Sequence, residues 1–276
     1  MNNRPSQAQA SKKAVNYLFQ GWINAFRDIN SVFERFQTEP KPFLLLIALM
    51  LSFLLTWFVY VPIHELLHVA GCVISGGVVE EVVLDRKYGA GFLSKLFPFI
   101  VPQSSGYAGR VSGFDPGSDL GYLITVFFPY ILTVFPGVWL LIYSARVKNM
   151  WVSGMGMIVG LAPFISLTGD YFEIGTIITT KIWNSVLQGY PAQSIEAYWN
   201  LRSDDIFRLI SEISAEPNLY GLPGVLGFFQ VVAIVLSGFF LAILFSGWTY
   251  QIGRILAIRL ENFVSAAALI DKRSEL

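Results

Sequence analysis

From Pro42 to Ile63 the chain carries no Asp, Glu, Lys or Arg, and this uncharged stretch runs straight into His64-Glu65-Leu66-Leu67-His68. A long apolar run without charge satisfies its backbone in lipid as a helix, and about 20 residues suffice to cross the hydrocarbon core. Phe43 to Val61 is long enough. The helical pattern continues through the two histidines to about Ile74, and Gly76-Gly77 stops it. At 1.5 Å per residue His64 lies about 30 Å from Phe43, near the far end of the span. Pro62, just before the histidines, removes a backbone bond and is expected to kink the helix there.

The rest of the sequence agrees with a membrane protein. Hydrophobic residues make up 54% of the chain and charged residues 14%, where a soluble domain carries about a quarter charged. Net charge is zero with no basic stripe, which argues against a nucleic-acid partner. The single cysteine, Cys72, cannot form an internal disulfide. The N-terminus does not read as a cleavable signal, because the first apolar run begins about forty residues in.

The expected fold is all-α and polytopic, with about four transmembrane helices, an N-terminal amphipathic helix and a small β-prone or re-entrant segment after the first span. Residues 1–42 hold a polar tail and then Val15, Leu18, Phe19, Trp22, Ile23, Phe26, Ile29, Phe33 and Phe36 at helical steps. Such an aromatic stripe fits a helix lying in the membrane interface or one packed on its own bundle. Residues 43–175 are the expected catalytic membrane core, with spans at about 43–75, 120–145 and 150–170. Within it, Val78–Leu84 is β-prone, Phe92–Val101 is apolar but too short to span, and Pro129 and Pro136 read as kinks. Residues 176–222 form an extramembrane helical segment, with Ile206, Leu209, Ile210 and Ile213 as a stripe after an Asp204-Asp205 start signal. Residues 223–276 supply the fourth span and a tail. Trp22, Trp57, Trp151 and Trp248 read as interface anchors. Four spans place both termini on one side, where lysines and arginines outnumber those on the other, so the positive-inside rule assigns the termini to the cytoplasm of a multi-pass cell-membrane protein.

His64 and His68 are the only histidines, and four residues apart on a helix they share one face and can hold one zinc ion. Glu65 lies about 100° further round, within reach of a water on that metal. Polar groups this deep are costly unless paired or functional. The first and third spans cross in the same direction, so Asp170, at the exit end of the third, reaches the depth of the histidines. Two histidines, a carboxylate and a position left for water make a catalytic zinc set. Glu173 is the alternative third ligand, and Cys72, next along the histidine face, ranks below both. In such a site zinc acidifies water and polarises a carbonyl, and Glu65 serves as general base. Arg110 and Asn184 are candidate oxyanion donors by type alone, while Tyr107, Arg110 and Asp115 also read as loop packing.

The His-Glu-Leu-Leu-His on a membrane helix, Gly71 and the β-prone Gly-Gly segment after it, and a Gly169-Asp170 pair ending a third span together resemble the site-2-protease group of intramembrane zinc metallopeptidases. The resemblance covers roughly residues 43–175. It implies zinc held by His64, His68 and Asp170, with Glu65 as the base, acting on a membrane-associated protein or peptide. The family's usual second motif, Asn-x-x-Pro and then Leu-Asp-Gly, is here Gly160-Leu-Ala-Pro163 and then Leu167-Thr-Gly169-Asp170: the Pro is kept, the Asn is not, and the Asp follows the Gly. The rival class is a metal-binding membrane scaffold or chaperone-like protein that does not cut. A transporter is disfavoured, because no repeated pair of broken spans is visible.

Overall fold

A computed structural model describes residues 16–104, 109–147, 149–187, 206, 209–210 and 225–274. The helices used below are α1 (Gln20–Phe33), α2 (Pro42–Ile74), α3 (Ala90–Leu96), α4 (Asp119–Phe127), α5 (Val138–Val147), α6 (Met150–Gly160), α7 (Asp170–Leu187) and α8 (Val225–Ser274). The strands are β1 (Val78–Leu84), β2 (Ile100–Pro102) and β3 (Gly109–Asp115). Among the described residues three helical stretches are long and apolar enough to cross a membrane: Pro42–Ile74, Asp119–Val147 and Val231–Val264, with mean hydropathies of 2.5, 1.9 and 2.3.

The fold is therefore mostly helical but not all-α. The β-prone segment after the first span forms a three-stranded sheet of order β2-β1-β3. Three residues separate α2 from β1 because the helix ends in a tight Schellman turn. Gly76 takes φ 89°, a left-handed conformation suited to glycine, while Gly77 N–H donates to the Cys72 carbonyl at 2.8 Å. The β-branched Val78, Val79, Val82 and Val83 then favour an extended strand. The apolar stretch Phe92–Val101, expected as re-entrant, divides into the end of α3 and the start of β2, with Pro98 between them.

Contacts divide the chain into two compact units. The first comprises residues 1–60, 130–163 and 247–276. In it α1 buries a small and polar edge made of Gly21, Asn24, Ala25, Asp28 and Val32, while Phe26 and Phe33 are exposed. Gly21 meets Gly247 backbone to backbone. Asp28 accepts from the Tyr250 hydroxyl at 2.9 Å and Arg254 Nε at 2.8 Å, and Asn24 donates to Gln251 at 2.7 Å. The Arg35 guanidinium donates to the Ser144 carbonyl. Asn149 caps α6, and the Ser52 hydroxyl donates to the Trp151 carbonyl at 2.8 Å. Trp151 is exposed.

The second unit comprises residues 61–129 and 164–246. Pro62 lies inside α2 without ending it. Ser118 caps α4 by accepting from Gly121 N–H at 3.0 Å. Tyr122 and Val126 of α4 pack with Ile174 and Ile177 of α7, and Phe172, Leu209 and Ile234 form a second cluster. The Ile206 N–H donates to the Thr168 carbonyl at 3.0 Å; Ile213 lies outside the described residues.

The expected third span is not one helix. Met150–Gly160 has 11 residues, about 16 Å of rise, too short to cross. A single helical turn, Ala162–Ile165, and bends at 166–169 separate it from α7. Pro163 cannot donate within a helix and its ring crowds the preceding turn, so an unbroken helix through it is disfavoured. The second apolar stretch also bends, through a 3-10 turn at Phe128–Tyr130 and a π turn at Thr133–Gly137, the positions of Pro129 and Pro136.

Candidate metal centre

Three elements of the second unit build the site. On α2, His64 and His68 stand one turn apart with ring centroids 4.6 Å from each other and planes nearly perpendicular. Their Nε2 atoms lie 3.1 Å apart. From α7, Asp170 places Oδ2 at 3.1 Å from His64 Nε2 and 3.5 Å from His68 Nε2. Among the described residues this is the one group of three potential metal ligands whose donor atoms all fall within 4.8 Å.

The separations can be tested against a metal. Ligands about 2.0–2.1 Å from a tetrahedral zinc stand about 3.3 Å from one another. The observed 3.1, 3.1 and 3.5 Å edges fit one face of such a tetrahedron. Two imidazoles and a carboxylate suit zinc and other borderline divalent ions rather than calcium or magnesium. The side chains are 14% (His64), 11% (His68) and 19% (Asp170) exposed, so the site is sheltered.

Local sequence explains the placement. Asp170 is the first residue of α7, its N–H is satisfied by Ser166 Oγ at 3.2 Å, and a carboxylate there also complements the positive end of the helix. Gly71, one turn past His68, allows α4 to approach closely: a Cβ there would fall 2.7 Å from Phe128 Cβ and 3.1 Å from the Ile124 carbonyl. That approach seats the Thr125 carbonyl 2.8 Å from His68 Nδ1, where it accepts the ring proton. With the proton on Nδ1, the Nε2 lone pair faces His64 and Asp170, which is the form a metal ligand needs.

Glu65 lies under the end of β3. A Cβ on Gly109 would stand 2.5 Å from Glu65 Cγ and 2.8 Å from Oε1, so the strand backbone rests on the carboxylate.

Glu173 is not brought to the histidines. It is buried one turn beyond Asp170 and accepts a short hydrogen bond from the Tyr122 hydroxyl. Cys72 points toward the sheet, with Sγ 3.8 Å from the carbonyls of Val78 and Asp115. The Asp115 carboxylate caps a turn by accepting from Gly117 N–H at 2.9 Å. Tyr107 and the side chains of Arg110 and Asn184 lie outside the described residues.

The Thr125 carbonyl, Gly109 and the Tyr122–Glu173 pair were not singled out from the sequence. A backbone carbonyl carries no side-chain signature, and Gly109 sits in a Gly- and Ser-rich stretch without a motif. No protein-family model, no curated protein and no solved structure matches this chain.

Proposed function

We propose that this chain is a zinc-dependent intramembrane endopeptidase, of the kind the site-2 proteases represent, hydrolysing peptide bonds of a membrane-associated protein in the cell membrane. The observation that carries the reading is the convergence of His64, His68 and Asp170 at zinc-like separations, with Glu65 between the histidines in sequence, on a helix long enough to cross a bilayer. His64, His68 and Asp170 would hold the ion. When bound, zinc supplies a Lewis acid that acidifies water and polarises the scissile carbonyl.

This chain's own groups do the rest. The Thr125 carbonyl fixes the His68 tautomer. Glu65 accepts a proton from water as the water oxygen bonds to the carbonyl carbon, and passes that proton to the amide nitrogen as the C–N bond breaks. The products are a new carboxylate and a new amine. The β3 backbone on Glu65 restricts where that carboxylate can swing. The chain crosses the membrane four times in this reading, with both termini cytoplasmic and α1 lying at the interface, its Phe26 and Phe33 toward lipid.

Metal analysis of purified protein tests the centre. Wild type is expected to hold one zinc per chain, His68→Ala and Asp170→Ala to lose it, and Glu173→Ala to keep it. Full occupancy in His68→Ala would sink the reading. Glu65→Gln separates an enzyme from a scaffold: it should keep zinc and lose cleavage of a membrane substrate. A Glu65→Gln strain indistinguishable from wild type would favour the metal-binding scaffold.

A further inference from the structure

The carbonyl that holds His68 is set apart by the residue four places beyond it. In an α-helix carbonyl i accepts from N–H i+4, so the helical partner of Thr125 would be residue 129. That residue is Pro129, which has no N–H. The α-helical ladder of α4 closes with Phe128 N–H on the Ile124 carbonyl, and the chain continues as a 3-10 turn over Phe128–Tyr130. The next carbonyl along, Thr125, accepts from His68 Nδ1 instead. Gly71 supplies the close approach that makes the bond short enough.

We infer that Pro129 is a positioning residue: by removing one backbone donor it dedicates the Thr125 carbonyl to His68, fixes the Nδ1–H tautomer and presents Nε2 to the Asp170 side of the site. Its consequence for metal rests on the zinc reading above, but its effect on the imidazole does not. A helix bond from residue 129 would direct the carbonyl along the helix axis and share its lone pairs. His68 is buried, at 8% exposure, so solvent offers its Nδ1 proton little substitute, and the ring would lose its orientation.

The test compares full-length wild type, Pro129→Ala, and Pro129→lactic acid, an alanine analogue whose backbone N–H is replaced by oxygen. Nitrogen-15 spectra of the metal-free proteins, at a pH where the ring is neutral, report the His68 tautomer, and titration with zinc alone reports affinity. Wild type should show the Nδ1–H form. Pro129→Ala should lose that preference and bind zinc about tenfold more weakly, the usual scale for outer-shell partners. The lactic acid variant should return both to the wild-type values, because it lacks the donor without having the proline ring. An unchanged tautomer in Pro129→Ala overturns the inference. So does equal loss in both variants, which would assign the effect to the ring and its kink. A wild type that takes up no zinc yet shows these tautomer differences would sink the metal reading and leave the role of Pro129 standing.

Discussion

Any side chain at position 109 must displace Glu65, because the space a Cβ would take is already 2.5 Å from Glu65 Cγ. Gly109→Ala is therefore expected to move the proposed base, Glu65, and to spare the proposed ligands. Zinc content should match wild type while turnover of a membrane substrate falls about a hundredfold, the contribution expected of a positioned general base. Loss of zinc in Gly109→Ala, or wild-type turnover, would show that the strand does not set the position of Glu65. At this scale the sequence is informative only where chemistry and local period coincide. His64, Glu65 and His68 are legible because i, i+1 and i+4 on a helix are fixed by its pitch. Asp170 does meet the histidines, although the third span from which it was expected there is not one helix. Thr125 is not legible, since its contribution is a carbonyl shared by every residue type.

Between elements, the Tyr122–Glu173 hydrogen bond ties α4 to α7 one turn from each group those helices bring to the histidines: Thr125 is three residues after Tyr122, and Asp170 three before Glu173. Phe114 of β3 stacks on Tyr122 at 5.3 Å, which links the strand over Glu65 to the same contact. A buried carboxylate is costly unless hydrogen-bonded. Tyr122→Phe is expected to lower stability by about 1–3 kcal/mol, the range for leaving a buried polar group unsatisfied, read as an earlier thermal transition in detergent. Glu173→Gln, which still offers an acceptor to the hydroxyl, should lose less. A Glu173→Gln protein less stable than Tyr122→Phe would contradict this account. The elements themselves were legible in part. The absence of charge marks α2 up to His64 and α8 up to Gly253, though not the run of α8 as one helix through Arg254 to Ser274, and the clustered valines mark β1. The parallel pairing of β2 was hidden, because a three-residue strand has too few side chains to show a period. The break between α6 and α7 was hidden for another reason: an uncharged run reads as one span until Pro163 is given its structural weight.

For the whole chain the four-span reading depends on residues 150–187, where no single helix among the described residues is both long and apolar enough to cross a membrane. Asp170, the first residue of α7, lies beside His64 of α2. Further along α7, Lys181 pairs with Asp119 at 3.1 Å, at the start of the second span. In the four-span reading the segment 150–187 makes the third crossing with two helices, and Asp170 stands where the second of them begins. In that reading the break would leave a helix N-terminus within the membrane to receive a carboxylate, tolerable where the backbone is packed in protein. Four crossings put Ser6 and Ser274 on one side, whereas three would put them on opposite sides. Single cysteines at these positions, in a Cys72→Ala background, are therefore expected to react together with an impermeant thiol reagent in sealed vesicles of one orientation, and in inverted vesicles if the termini are cytoplasmic. Reaction of one cysteine in each orientation would show that the broken segment enters and leaves by the same face. Asp170 would still meet the histidines, but the site would be assembled from one full span and one re-entrant element.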